Sequence, residues 1–183
     1  MKNVIFNAGT ESYLVSHIVY VGAVEEVPAE IRKGERTHSF KIVTTVGSSY
    51  CYYKTEETAG KAHGALYGML KAANPNIYSH RMELLDAARV VSIGDVVAMK
   101  NPKNDLTHAI IVSVETTDPR NAKVWLKYKS ADNAAKARRA IYAVVSAANS
   151  GDKAPDQTAE SSVAETPAPQ AVAVGESSPD LPF

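Results

Sequence analysis

Residues 48–74, SSYCYYKTEETAGKAHGALYGMLKAAN, lie over residues 123–149, KVWLKYKSADNAAKARRAIYAVVSAAN, at a constant offset of 75, and ten of the 27 positions are identical. Upstream, THSFKIV (37–43) matches THAIIVS (107–113) at an offset of 70, and the turn-rich insert TTDPRN takes up the difference. Two copies of one unit have been fused, so whatever the first copy builds the second must build again.

Each copy reads as strands followed by one helix. YLVSHIVYVGAVEEV, HSFKIVTTV and SYCYYK are β-branched and aromatic runs broken by Gly, Pro and polar turns, and RVVSIGDVVAM, HAIIVSVE and KVWLKYK take those parts in the second copy. The first run is long enough for a hairpin. Thr55 and Ser130 stand where N-caps belong, with Glu56, Glu57 and Asp132 following in the first helical turn. Ala59, Ala62, Leu66, Met69/Leu70 and Ala73 make an apolar stripe at helical spacing, repeated by Ala134, Ala137, Ile141, Val144/Val145 and Ala148. The expected fold is α+β: two tandem ββββα units, antiparallel sheets each with one C-terminal helix, over residues 1–74 and 75–150 and packed as one domain. YSHRMELLDAARVV, between them, reads as containing an extra helical turn.

Charge divides the chain at the end of the second unit. Residues 1–150 carry 19 Lys+Arg against 14 Asp+Glu, whereas residues 151–183 carry one lysine against six acids. That last segment holds five of the nine prolines and is otherwise Ala, Ser, Thr and Gln, with no period of helix or strand. It is expected to be a disordered acidic tail. The single cysteine, Cys51, rules out an internal disulfide framework and suits a reducing compartment. The start has no apolar leader region and no run approaches a membrane span, so a cytoplasmic protein without membrane contact is expected.

Catalytic and metal signals are weak. The five histidines are scattered, and with one cysteine they form no zinc spacing. His38 and His108 are repeat equivalents, which marks a structural strand position. Gly60, Gly64 and Gly68 fall on one helix face but lack the Lys-Ser/Thr of a phosphate loop, so they read as a surface for close packing. No enzyme, cofactor or metal is expected.

The last strand of each unit is more informative. Cys51 and Tyr53 alternate with Tyr50, Tyr52 and Lys54, and Leu126 and Tyr128 alternate with Trp125, Lys127 and Lys129. If Cys51 and Leu126 face the helix, the other sheet face displays aromatics interleaved with lysines, a platform on which bases stack while cations meet phosphates. Lys41 on the neighbouring strand and Arg138 in KARR (136–139) extend this candidate DNA-binding set. The same rings could instead fill a core between two sheets.

The chain ends in Asp180, Leu181, Pro182 and Phe183. This terminus, on its long acidic tether, resembles the tip of bacterial and phage single-stranded DNA-binding proteins. That resemblance implies that these four residues dock on replication, recombination and repair proteins, the Phe183 ring entering an apolar pocket while its carboxylate meets basic groups. The body departs from that family's five-stranded barrel. At the level of architecture, tandem ββββα units resemble the Whirly and Pur-alpha binders of single-stranded nucleic acid. The expectation is a sequence-independent single-stranded DNA-binding protein of a bacterial cytoplasm or phage-infected cell, with RNA and self-association left open. The alternative is a protein-interaction adaptor that binds no nucleic acid.

Overall fold

The computed structural model describes residues 4–151 apart from Thr10, Lys33 and Asn104. The tail and its terminal tip lie outside the described residues. The chain is α+β, with antiparallel sheets and two helices that each follow a group of strands.

The first copy runs β1 (Ile5–Ala8), β2 (Glu11–Leu14), β3 (Ile18–Val21), the two-residue β4 (Glu25–Glu26), β5 (His38–Thr44), β6 (Gly47–Tyr53) and α1 (Glu56–Ala73). The second runs β7 (Ile77–His80), β8 (Glu83–Asp86), β9 (Val90–Lys103), β10 (Leu106–Val114), β11 (Lys123–Tyr128) and α2 (Ala131–Ser150). Both helices start as the sequence predicts. Thr55 Oγ1 accepts from Thr58 N at 3.2 Å, and Ser130 Oγ accepts from Asn133 N at 3.2 Å.

The repeat is deeper than the sequence match. Registers of β5 on β6 and of β10 on β11 coincide: His38 faces Tyr53 as His108 faces Tyr128, and Lys41 faces Tyr50 as Ile111 faces Trp125. Thr37 Oγ1 sits 2.9 Å from His38 Nδ1 and donates to Lys54 O, while Thr107 Oγ1 sits 2.8 Å from His108 Nδ1 and donates to Lys129 O. The paired histidines thus hold strand ends.

Two elements differ from the expectation. The run YLVSHIVYVGAVEEV is not itself a hairpin; it holds the end of β2, a 3-10 turn (Val15–His17), β3 and β4. The hairpin is β1–β2, just upstream. In the second copy YSHRMELLDAARVV forms the hairpin β7–β8 and then a single 3-10 turn, Ala87–Arg89. The two hairpins coincide at an offset of 72: Ile5 faces Leu14 as Ile77 faces Asp86, and the turns place Gly9 at φ 64° and Arg81 at φ 47°. Such left-handed turn residues give the twist a tight hairpin needs.

The sheets are not closed copies of each other. The first has the order β4-β5-β3-β8-β7 with β6 on the other side of β5, so the second copy's hairpin completes the first copy's sheet through Tyr20 opposite Leu85 and Val21 opposite Leu84. The second is β11-β10-β9 alone, and β1–β2 forms a separate two-stranded sheet. One core lies between α1 and the first sheet, around Phe40, Leu66, Leu70 and Ile77. A second joins the other face of that sheet, at Val19, Tyr20 and Val43, to Ile110, Leu126 and Tyr128 of the second sheet and Ile141 of α2. At about 25 cal/mol per Å² of apolar area, these cores are the main force holding the copies together.

Candidate functional site

Period-two alternation along β6 and β11 decides which side chains leave the core. Cys51 and Leu126 are buried, with Cys51 in the core under α1. Tyr50, Tyr52 and Trp125 emerge on the opposite face, and Tyr50 and Trp125 keep 50% and 46% of their surfaces exposed. Tyr50 and Tyr52 lie 6.1 Å apart between ring centroids. These rings therefore do not fill a core.

The two copies bring their open faces to one cleft of about 260 Å³. Lys41 and Tyr50 come from the first sheet; Lys123, Trp125 and Lys127 come from β11; Glu83 of β8 also lines it. Lys41 Nζ donates to Asn121 Oδ1 at 2.7 Å, tying the first copy to the turn before β11. Tyr20, almost wholly buried beside them, donates its hydroxyl to Glu83 Oε1 at 2.6 Å. Burial pushes the Glu83 carboxyl up to about 7, against the lowering effects of the Tyr20 hydrogen bond and of Lys127. The cleft thus carries three lysines, two exposed rings and two carboxyls, Glu25 and a Glu83 whose charge changes near neutrality.

Of the residues singled out from sequence, Lys41, Tyr50, Trp125 and Lys127 meet in this cleft. Tyr52 stands beside Tyr50 on the same face. Lys54 and Lys129 occupy the exposed ends of β6 and β11, and Lys54 pairs with Glu35. Arg138 is elsewhere: on α2 its Nε donates to Gly94 O at 2.8 Å, one Nη donates to Asp95 at 2.9 Å, and the guanidinium lies over the Tyr142 ring. Asp180, Leu181, Pro182 and Phe183 lie outside the described residues.

Sequence reasoning missed Lys123, Tyr20, Glu83 and Asn121. Lys123 was within reach, because it shares the alternation of Trp125 and Lys127. The others were hidden by topology, since only the pairing of β8 on β3 brings Glu83 to Tyr20.

Among the described residues, no helix covers the glycine face of α1. A Cβ at Gly60, Gly64 or Gly68 would meet nothing within 4 Å, and Gly60 and Gly64 border a second cleft of about 290 Å³ with Tyr67 and the hairpin-turn residues Arg81 and Met82. No helix among the described residues is long and apolar enough to cross a membrane.

Comparisons with protein-family models, with curated proteins and with solved structures return no match. What the clefts bind must follow from their own chemistry.

Proposed function

We propose that the body is a non-enzymatic, sequence-independent binder of single-stranded DNA, and that the acidic tail recruits replication, recombination or repair proteins through Asp180, Leu181, Pro182 and Phe183. One observation carries the reading: Tyr50 and Trp125, repeat equivalents on different strands, are both half-exposed and line one cleft with Lys41, Lys123 and Lys127. Exposed rings beside lysines suit a strand whose bases are unpaired, because each base offers a π-face and each phosphate a charge. A duplex hides its base faces, so the same cleft discriminates against it. The platform makes no demand on the 2′-position, so RNA is accepted by the same chemistry. The setting this suits is a bacterial cytoplasm or a phage-infected cell.

The test is a titration with oligo-dT against the matching duplex at fixed salt. Binding of the single strand with little binding of the duplex supports the reading. No binding of either strand form would leave the protein-interaction adaptor as the better account.

A further inference from the structure

The junction between the two copies has two unfilled counterparts, one on the first copy's β1–β2 hairpin and one on the second copy's β9. In the junction, β8 pairs with β3, and the Ile77 side chain of the second copy's hairpin enters the first copy's core. Ile77 is 1% exposed, whereas its equivalent Ile5, on β1, is 50% exposed. Val19 on β3 is likewise 1% exposed, whereas its equivalent Val91, on β9, is 70% exposed. Ile5 and Val91 are thus the two halves of a junction whose filled form the chain already displays.

The backbone agrees. Beside Ser92 and Ile93 the outer edge of β9 pairs with no strand among the described residues, its neighbour being β10 alone. A hydroxyl contact of 3.5 Å from Tyr142 to Ile93 O is its weak cover. The registers of β3 on β5 and of β9 on β10 correspond residue for residue, Val21 facing Ile42 as Ile93 faces Val112, so the two edges have one geometry. Were the copies related by a closed two-fold, β2 would pair with β9 in the same chain. It does not, so the relation between units is open and extends beyond the chain.

We infer that this chain assembles head to tail with further copies of itself, the β1–β2 hairpin of one copy adding to the edge of β9 in the next. The register follows from the filled junction: Tyr13 of one copy opposite Ser92 of its neighbour, and Ser12 opposite Ile93. Side-chain size is complementary as well. Beside the filled junction the bulky turn Arg81-Met82 borders a helix face bared to Gly60 and Gly64. At the open junction the sizes are exchanged, since the turn carries Gly9 while α2 offers Ala135 and Arg139 at the equivalent positions. The exposed pair Ile5 and Val91 becomes buried, and an otherwise adhesive strand edge is covered. Repeating the relation also sets Tyr50 and Tyr52 of one copy beside Trp125 of the next, continuing the row of rings across the assembly.

Sedimentation of the full chain, without DNA, reads the assembly. The expected result is a concentration-dependent oligomer that becomes a monomer in Val91→Lys and in Ile5→Lys, both with unchanged circular dichroism because neither side chain is in the core. Register is read by mild oxidation of Ser12→Cys and Ile93→Cys proteins. Their mixture should yield a disulfide-linked pair of chains that neither yields alone, the native Cys51 staying inert because burial pushes its thiol up to about 11. A chain that sediments as a monomer throughout the micromolar range overturns the inference. So does an oligomer that survives both lysine variants and gives no cross-link in the mixture.

Discussion

Arg138 Nε donates to the Gly94 carbonyl at 2.8 Å, and His63, its repeat equivalent on α1, meets the Gly22 carbonyl at 3.1 Å. One helix position in each copy therefore ties the helix to the backbone of an equivalent strand segment, Gly94 within β9 and Gly22 just after β3. The two side chains do it with different groups, a cation that is about a third exposed and an imidazole that is buried. This tie sets Arg138 apart from the lysines of the cleft.

The first prediction follows from that position. Arg138→Ala should cost about 1–2 kcal/mol of stability, since it leaves Gly94 O without its charged donor while the exposed Asp95 pair adds little. Affinity for oligo-dT should stay within a factor of about two of the parent. Thermal melts and a binding titration on the same preparation check both halves.

Burial lowers the His63 pKa below its ordinary value, against the raising effects of the Gly22 and Met82 backbone. His80, packed 4.5 Å from the Tyr128 ring, is pushed down to about 4 by burial and by Arg81. A lowered histidine contributes stability that is complete above the unfolded value near 6.5 and is lost as pH falls toward the folded value. His80→Phe should therefore melt with a shallower loss between pH 6.5 and 4 than the parent protein. Identical slopes in the two proteins would show that His80 does not titrate in this window.

Glu83 has the opposite sign. Its folded value of about 7 lies above the ordinary 4.5, so the fold holds the proton more tightly and is weakened as pH rises from 4.5 through 7. Glu83→Gln keeps an acceptor for Tyr20 and should be more stable than the parent at pH 8, by up to about 3 kcal/mol, with the gap closing near pH 5. The charge also sits in the cleft, so oligo-dT binding by the parent should weaken from pH 6 to pH 8 and that of Glu83→Gln should weaken less.

Salt separates the cleft lysines from the strand-end ones. Each phosphate neutralised on a single strand contributes about −0.7 to the slope of log affinity against log salt. Lys41→Ala, Lys123→Ala and Lys127→Ala should each flatten the slope by about that amount. Lys54→Ala should flatten it less, because Lys54 already has Glu35 as a partner.

Deleting residues 176–183 should leave oligo-dT binding intact or slightly tighter, most visibly at low salt, because it removes the negative charges of Glu176 and Asp180 that compete with a DNA strand for the cleft lysines. The same deletion should abolish capture of the recruited partner proteins, and one residue added after Phe183 should impair it nearly as much by displacing the carboxylate. Affinity capture from the native host with and without the tip is the measurement.

Local signals read correctly where local physics decides. Thr55 and Ser130 cap helices as expected, and Cys51 and Leu126 turn inward because a strand with one covered face must alternate. The hairpins were harder. Between residues 4–17 and 76–89 the alignment keeps two identities, Ile5/Ile77 and Glu11/Glu83, too few to extend the repeat. Met82, Leu84, Leu85 and Ala88 also mimic helical spacing. Residues 77–86 instead form a hairpin, with Ala88 in the 3-10 turn beyond it, because Arg81 and Met82 accept positive φ and because β3 offers β8 a partner strand from the other copy, a cause that no local window contains. The same long-range pairing brought Glu83 into the cleft and kept it out of the expected site.

Trp125 is the chain's single tryptophan, so its emission reports on one place in the cleft. Titrating the protein with oligo-dT should quench that emission to saturation, the matching duplex should leave it nearly unchanged, and Trp125→Ala should weaken oligo-dT binding by about 1–3 kcal/mol while melting like the parent. Emission unaltered at saturating single strand, or a Trp125→Ala protein that binds oligo-dT as tightly as the parent, would contradict a base-stacking cleft.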